Sequence, residues 1–171
     1  MKNVSLLILA SWAGLSQAST TTASRLLCPA VYAPVCSDAN GAQGPARFFN
    51  NFCEAAHADY TPRNQGAMIQ FDIVGEDFWV YTTSAAAIAE AHGLLASGKL
   101  KVPLMMLADG ASCSGLWTFH AVPDSLTFAD VTIELCDGRP SYVEENKKEW
   151  LQKVKNYCPW NARVIGVYEP L

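Results

Sequence analysis

Charge is scarce in this chain. Only 16% of its 171 residues are charged, against 50% hydrophobic, and 12 basic residues face 16 acidic ones. So apolar a chain does not read as disordered. A net charge of −4 with no basic patch gives no ground for a nucleic-acid partner. Beyond the N-terminus no run reaches the roughly 18 apolar residues of a membrane-spanning helix. Internal repeats and low-complexity segments are missing. So is a glycine-rich phosphate loop, since Ala108-Asp109-Gly110-Ala111-Ser112 holds one glycine and reads as a turn. Ser112 and Ser114 flank Cys113 without forming a G-x-S-x-G elbow. No nucleophile and base can be assembled from spacing. The chain is therefore read as non-enzymatic, with no catalytic residue, cofactor or metal.

What the chain does have is six cysteines and a leader-like start. Lys2 supplies a positive n-region, Val4–Leu9 an apolar core, and Ser16-Gln17-Ala18 the small-x-small spacing of a cleavage site. Residues 1–18 are expected to be a signal peptide, and the mature protein to be secreted and extracellular. Six cysteines in an oxidising compartment can form three bridges with no free thiol.

Two regions differ in character. Residues 19–66 are rich in Ser, Thr, Ala, Pro, Gly and Asn, show little periodicity, and hold Cys28, Cys36 and Cys53. A piece with so little core needs covalent staples or a neighbour. Thr61–Gly66 reads as the linker that ends it. Residues 67–171 carry regular patterns. Strands are expected at Ile69–Ile73, Phe78–Thr82, Val102–Leu107, Leu116–His120, Leu126–Leu135 and Arg163–Tyr168. Pro103 points to an edge position for the third of these. One helix is expected over Ala85–Leu95, capped by Thr83 or Ser84 and stopped near Gly98, with Ile88, Ala91 and Leu95 on one face. A second is expected from Pro140 to Tyr157. The fold class is α+β: a small disulfide-pinned module followed by an antiparallel sheet with two helices.

Within the first region, Cys28-Pro29-Ala30-Val31-Tyr32-Ala33-Pro34-Val35-Cys36 carries Tyr, Pro and Val at marked places. It resembles the reactive-site segment of Kazal-type serine protease inhibitors, Cys-x-x-x-Tyr-x-Pro-Val-Cys. Phe49-Asn50-Asn51-Phe52-Cys53 is similar to that family's aromatic-x-Asn-x-Cys, which opens a short helix, here Glu54–Tyr60. The resemblance covers residues 24–62. It implies a reactive loop of Cys28, Pro29, Ala30, Val31 and Tyr32, with Ala30–Val31 as the scissile-like bond. It also implies that the Asn51 amide supports loop carbonyls, a role that its two donors suit. An inhibitor of this kind offers its protease a substrate-like segment that is already rigid, so little ordering entropy is lost on binding. Pro29 and Pro34 stiffen the segment. Tyr32 is expected to pack against the scaffold or the enzyme. The Ala30 methyl cannot reach a deep acidic pocket and fits a shallow apolar one, which points to elastase- or subtilisin-like partners.

The departures are specific. The family pairs its half-cystines first to fifth, second to fourth and third to sixth. No cysteine precedes Cys28 in the mature chain, and Ala56 stands in the fifth place, so one bridge is missing with both its partners. The resemblance implies Cys28–Cys53 and leaves Cys36 without a local partner. Residues 78–168, with Trp117-Thr118-Phe119-His120, Pro123-Asp124-Ser125, Ile133–Gly138 and Cys158-Pro159-Trp160 in order, resemble a small domain of secreted bacterial proteins and of a slime-mould calmodulin-binding prespore protein. Those domains carry both Cys136 and Cys158, implying that pair and leaving Cys36 to Cys113. A rival pairing, Cys113–Cys136 with Cys36–Cys158, stays open, because a helix of about 17 residues between Cys136 and Cys158 would span roughly 25 Å.

His120, Glu134 and Asp137 can be drawn as a metal or acid–base cluster, but a lone strand-end histidine is more often a surface group. Glu144–Lys148 and Glu149–Lys153 have the i,i+4 spacing of a solvated helix face. The expected function is a secreted, monomeric serine protease inhibitor. The alternative is an extracellular binding or structural protein whose α+β domain holds the partner and whose Kazal-like region is not inhibitory.

Overall fold

The computed structural model describes residues 27–28, 30–40 and 45–170. The expected signal peptide, residues 1–18, and Pro29 of the expected loop lie outside the described residues. The first region forms a small antiparallel sheet of β1 (Val35–Ala39), β2 (Arg47–Phe49) and β3 (Tyr60–Pro62), in the order β2-β1-β3. A short helix, α1 (Phe52–His57), lies between β2 and β3. It starts two residues before the expected Glu54 because Asn51 caps it: the Asn51 Oδ1 accepts the Glu54 N–H at 3.0 Å. Glu54 reaches back to the Asn50 side-chain amide at 3.0 Å. The expected linker at Thr61–Gly66 begins inside a strand instead, with β3 covering Tyr60–Pro62. Arg63 then donates its N–H to the Cys36 carbonyl at 2.9 Å and holds the Asp38 carboxylate through two bonds of 2.8 and 3.0 Å. Strands of three to five residues are too short to show a period.

The larger region opens with the hairpin of β4 (Ala67–Ile73) and β5 (Glu76–Thr82). Ser84 caps α2 (Ala85–Ser97), and Gly98 ends it in the left-handed conformation. The helix buries Ala87, Ala91 and Leu94, while Leu95 is exposed, so the expected face of Ile88, Ala91 and Leu95 is corrected by about one position. β6 (Val102–Asp109) pairs with β7 (Phe119–Ala121), β8 (Thr127–Ala129) and β9 (Asn156–Tyr157). It is the hub of its sheet and not an edge strand. Pro103 is tolerated as its second residue, ahead of Met105, where pairing with β9 begins. The expected strand Leu126–Leu135 shrinks to β8; Val131, Ile133 and Leu135 are exposed, and Glu134–Cys136 is a single 3₁₀ turn.

The second helix is broken. α3 (Pro140–Glu145) stops at Asn146, whose backbone leaves the helical region (φ −109°, ψ 22°). α4 (Lys147–Glu149) then runs into a π turn over Trp150–Val154. Lys155 takes a φ of 63°, and the chain turns back as β9, so Tyr157 belongs to a strand and not to the helix. That reversal answers the length objection. Cys158 comes to 5.1 Å, Cα to Cα, from Cys136, and the two are bridged. Cys28–Cys53 and Cys36–Cys113 are the other two bridges, so the rival pairing is excluded. The break also changes the charge pairs. Lys153 meets Glu149 at 3.2 Å, but Glu144 bonds to the N–H and hydroxyl of Thr118 instead of to Lys148.

β10 (Ala162–Tyr168) completes the first sheet of this region in the order β10-β4-β5. One face of that sheet supplies Ile69, Phe71, Ile73, Phe78, Val80 and Val164 to the main core, where α2 and the β6 sheet meet it. The opposite face carries Met68 and Trp79, with Tyr81 and Tyr168 partly buried, and the first region covers it with Cys36, Ala46 and Phe48. A sheet buried on both faces explains why Ala67–Ile69 is apolar at three successive positions.

Candidate functional site

The strip ahead of β1 is held at both ends and open in the middle. Cys28 is joined to Cys53 on α1. At the other end Pro34 is buried and Val35 enters β1 opposite Phe49. Between them Ala30 is exposed, Val31 is 59% exposed and Tyr32 52%. Two backbone carbonyls tie the strip to the α1 entry. The Asn51 Nδ2 donates to the Val31 carbonyl at 3.2 Å, and the Ala33 N–H donates to the Asn50 carbonyl at 2.9 Å. Asn51 thus works with both ends of its amide: the oxygen starts a helix and the nitrogen holds the strip. It is 7% exposed, which shields these bonds from water.

Tyr32 packs on the scaffold, and the surface it meets belongs to the larger region. Its ring meets Trp79 and Tyr168 edge-on, at centroid distances of 6.3 and 6.1 Å. Partial burial pushes the Tyr32 hydroxyl above the ordinary tyrosine range, and Tyr168 and Asp77 add to the shift. Trp79 and Tyr168 in turn lie 5.6 Å apart, and Phe48 of β2 sits 5.1 Å from Trp79. The strip is therefore braced by both regions of the chain. Trp79 and Tyr168 were not legible as site residues. The available signal was aromatic character on both faces of Phe78-Trp79-Val80-Tyr81, which marks a strand with no solvent side.

The imidazole of His57 stands 3.7 Å, Nδ1 to Sγ, from Cys28. Cys28, Cys53 and His57 have ligand-like spacing, but the two sulfurs are bonded to each other and offer no thiolate to a metal. The other imagined cluster does not converge. The His120 Nδ1 is 2.6 Å from the Gly110 carbonyl, and the Asp137 carboxylate accepts the Trp160 N–H at 2.9 Å.

Beside the strip lies a groove of about 510 Å³ whose walls include Pro34, Phe52, Arg63, Tyr168 and Pro170. Its lining comes from both regions, as does the bracing of Tyr32. No helix among the described residues is long and apolar enough to cross a membrane. The three disulfides are compatible with an extracellular location.

Comparison with known proteins separates the two regions. No curated protein and no solved structure matches the chain. The family model of the BP-74 N-terminal domain, of the calmodulin-binding prespore-like proteins, matches residues 65–170, from just before β4 to just after β10. That span holds both larger sheets, α2 and the Cys136–Cys158 bridge, and by it the chain belongs to the BP-74 N-terminal domain family.

Proposed function

We propose that the chain is a secreted inhibitor of serine endopeptidases, with an atypical Kazal-like module that presents the Ala30–Val31 bond to elastase- or subtilisin-like enzymes. The observation that carries this reading is the strip itself. Its exposed residues Ala30–Tyr32 lie between a disulfide and a buried proline, and the carbonyl just after the Ala30–Val31 bond is held by Asn51. A protease binds such an extended segment in its cleft. A strip already held in place loses little entropy on binding. If the bond is cut, the two new ends stay anchored instead of diffusing apart. Ala30 presents a methyl group to the primary pocket, and a shallow apolar pocket accepts it. The module departs from the family in bridging Cys36 to Cys113 of the larger region, outside the module.

The test is a panel of elastase-, subtilisin- and trypsin-like enzymes assayed with the mature protein and with Ala30→Arg. The wild type is expected to inhibit elastase- or subtilisin-like members, and Ala30→Arg to move inhibition to trypsin-like ones. Inhibition of trypsin-like enzymes alone by the wild type would refute the specificity argument. Failure of both proteins on every enzyme would refute the inhibitory reading.

One observation favours the second reading, an extracellular binding protein. Val131, Ile133 and Leu135 are exposed beside a cavity of about 360 Å³ that Leu104 and Val154 also line. Exposed apolar clusters of this kind are typical of partner surfaces. That reading takes over if the protease panel is negative.

A further inference from the structure

The bridges hold the two sides of the Ala30–Val31 bond unequally. On the N-terminal side, Cys28 is two residues from Ala30 and is bonded to Cys53. On the C-terminal side, the next covalent anchor is Cys36, five residues beyond Val31. Hydrolysis adds water across the amide, leaving a carboxylate on Ala30 and an amine on Val31. The new amine then depends on non-covalent contacts. Two are the backbone bonds to Asn51 and Asn50. The third is the ring of Tyr32 against Trp79 and Tyr168.

Both receiving rings are themselves fixed. Trp79 is 5% exposed and lies on β5, paired to Gln70 of β4. A Cβ at Gly115 would come 3.0 Å from the indole, so Gly115, two residues past the bridged Cys113, lets the backbone pack against that ring. A Cβ at Gly166 would come 2.5 Å from the Tyr168 ring, which lies over the bare Cα at the irregularity in β10. Only glycine leaves room for either arrangement.

We propose that Trp79 and Tyr168 of the larger domain form a clamp on Tyr32 that keeps the Val31 side of the reactive bond in place. The larger domain is then a working half of the inhibitor, and Tyr168 is a positioning residue that acts through Tyr32. This rests on the inhibitory reading and extends it. An edge-on aromatic pair contributes enough to change an equilibrium or rate by about tenfold when lost.

The experiment uses the full mature chain and follows the rate at which a protease from the inhibited class cuts Ala30–Val31, by mass and by the appearance of a Val31 N-terminus. Tyr168→Leu is decisive, because Tyr168 lies outside the strip that enters the enzyme cleft. It is expected to raise the cutting rate about tenfold and to weaken inhibition in proportion. Leu94→Ala, in the core beneath α2, is the control: it lowers the unfolding midpoint and is expected to leave the cutting rate unchanged. Equal cutting rates in wild type and Tyr168→Leu would overturn the clamp, as would an increase in Leu94→Ala as large as in Tyr168→Leu. A wild type that inhibits nothing removes the inhibitory reading alone. The cutting rates under an unselective protease then judge the clamp by the same two criteria.

Discussion

The two regions of this chain solve the problem of stability by opposite means. The larger domain gathers 18 buried residues into one core, with Phe78, Phe119 and Tyr157 packed ring to ring. The module has three short strands and a six-residue helix. Among its described residues, Ala55 is the one apolar side chain buried outside the layer shared with the larger domain. The module substitutes one internal bridge, one bridge to its neighbour and that shared layer of aromatics. A region that must keep a strip exposed cannot also use that strip as core. The exposed strip is stabilised from outside itself, by the sheet behind it.

The severest challenge to this contrast is to cut the covalent link. Cys36→Ser with Cys113→Ser opens a loop of sequence separation 77. The chain-entropy model gives a loss of about 4.5 kcal/mol. The module should then open first, seen as faster amide exchange over residues 35–62, ahead of global unfolding. A single transition shifted by less than about 1 kcal/mol would show that the aromatic layer alone joins the regions. Next comes the core of the domain. Phe119→Ala should cost about 4 kcal/mol by chemical denaturation, yet leave protease inhibition at room temperature unchanged, since Phe119 lies in the main core and not in the clamp layer. Loss of inhibition in the still-folded variant would erase the division of labour.

A smaller effect separates the two jobs of Asn51. Asn51→Asp keeps the oxygen that caps α1 and removes the donor to Val31. It should weaken inhibition several-fold with little change in unfolding midpoint. Asn51→Ala removes both and should add about 1 kcal/mol of destabilisation. The smallest effect concerns acid. Hydrogen bonds from Arg63, helped by its charge, hold the Asp38 carboxyl below its ordinary value of 3.8. A depressed folded pKa means that this contribution is complete above the unfolded value and fades as pH falls through the lowered one. The pair is well exposed, so the loss should be roughly a few tenths of a kcal/mol. Asp38→Asn should abolish it in an acid titration of the unfolding midpoint.

Legibility in the sequence tracked the range of the interactions involved. The β4–β5 hairpin and α2 were readable because alternation, the Ser84 cap and the Gly98 stop are local signals. The end of the second helix was not, since nothing in Glu144–Val154 breaks the apolar spacing. What ends it is a π turn and a left-handed Lys155 that let Tyr157 reach the core. The short strands of the module are set by pairing to β1 and leave no pattern of their own. At the site, the open strip and Asn51 were visible through the spacing of cysteines, prolines and asparagine. The clamp was not, because it joins positions 32, 79 and 168, and only the folded sheet brings these together.

The layer between Met68, Trp79 and the module has a bearing on inheritance. The family match begins at residue 65 and so leaves the module outside it. A descendant that shed the module would bare a greasy plate on the back of the sheet and invite clumping. Such a chain would need polar replacements at 68 and 79, or a new lid. The two pieces have to travel together or be refitted when parted.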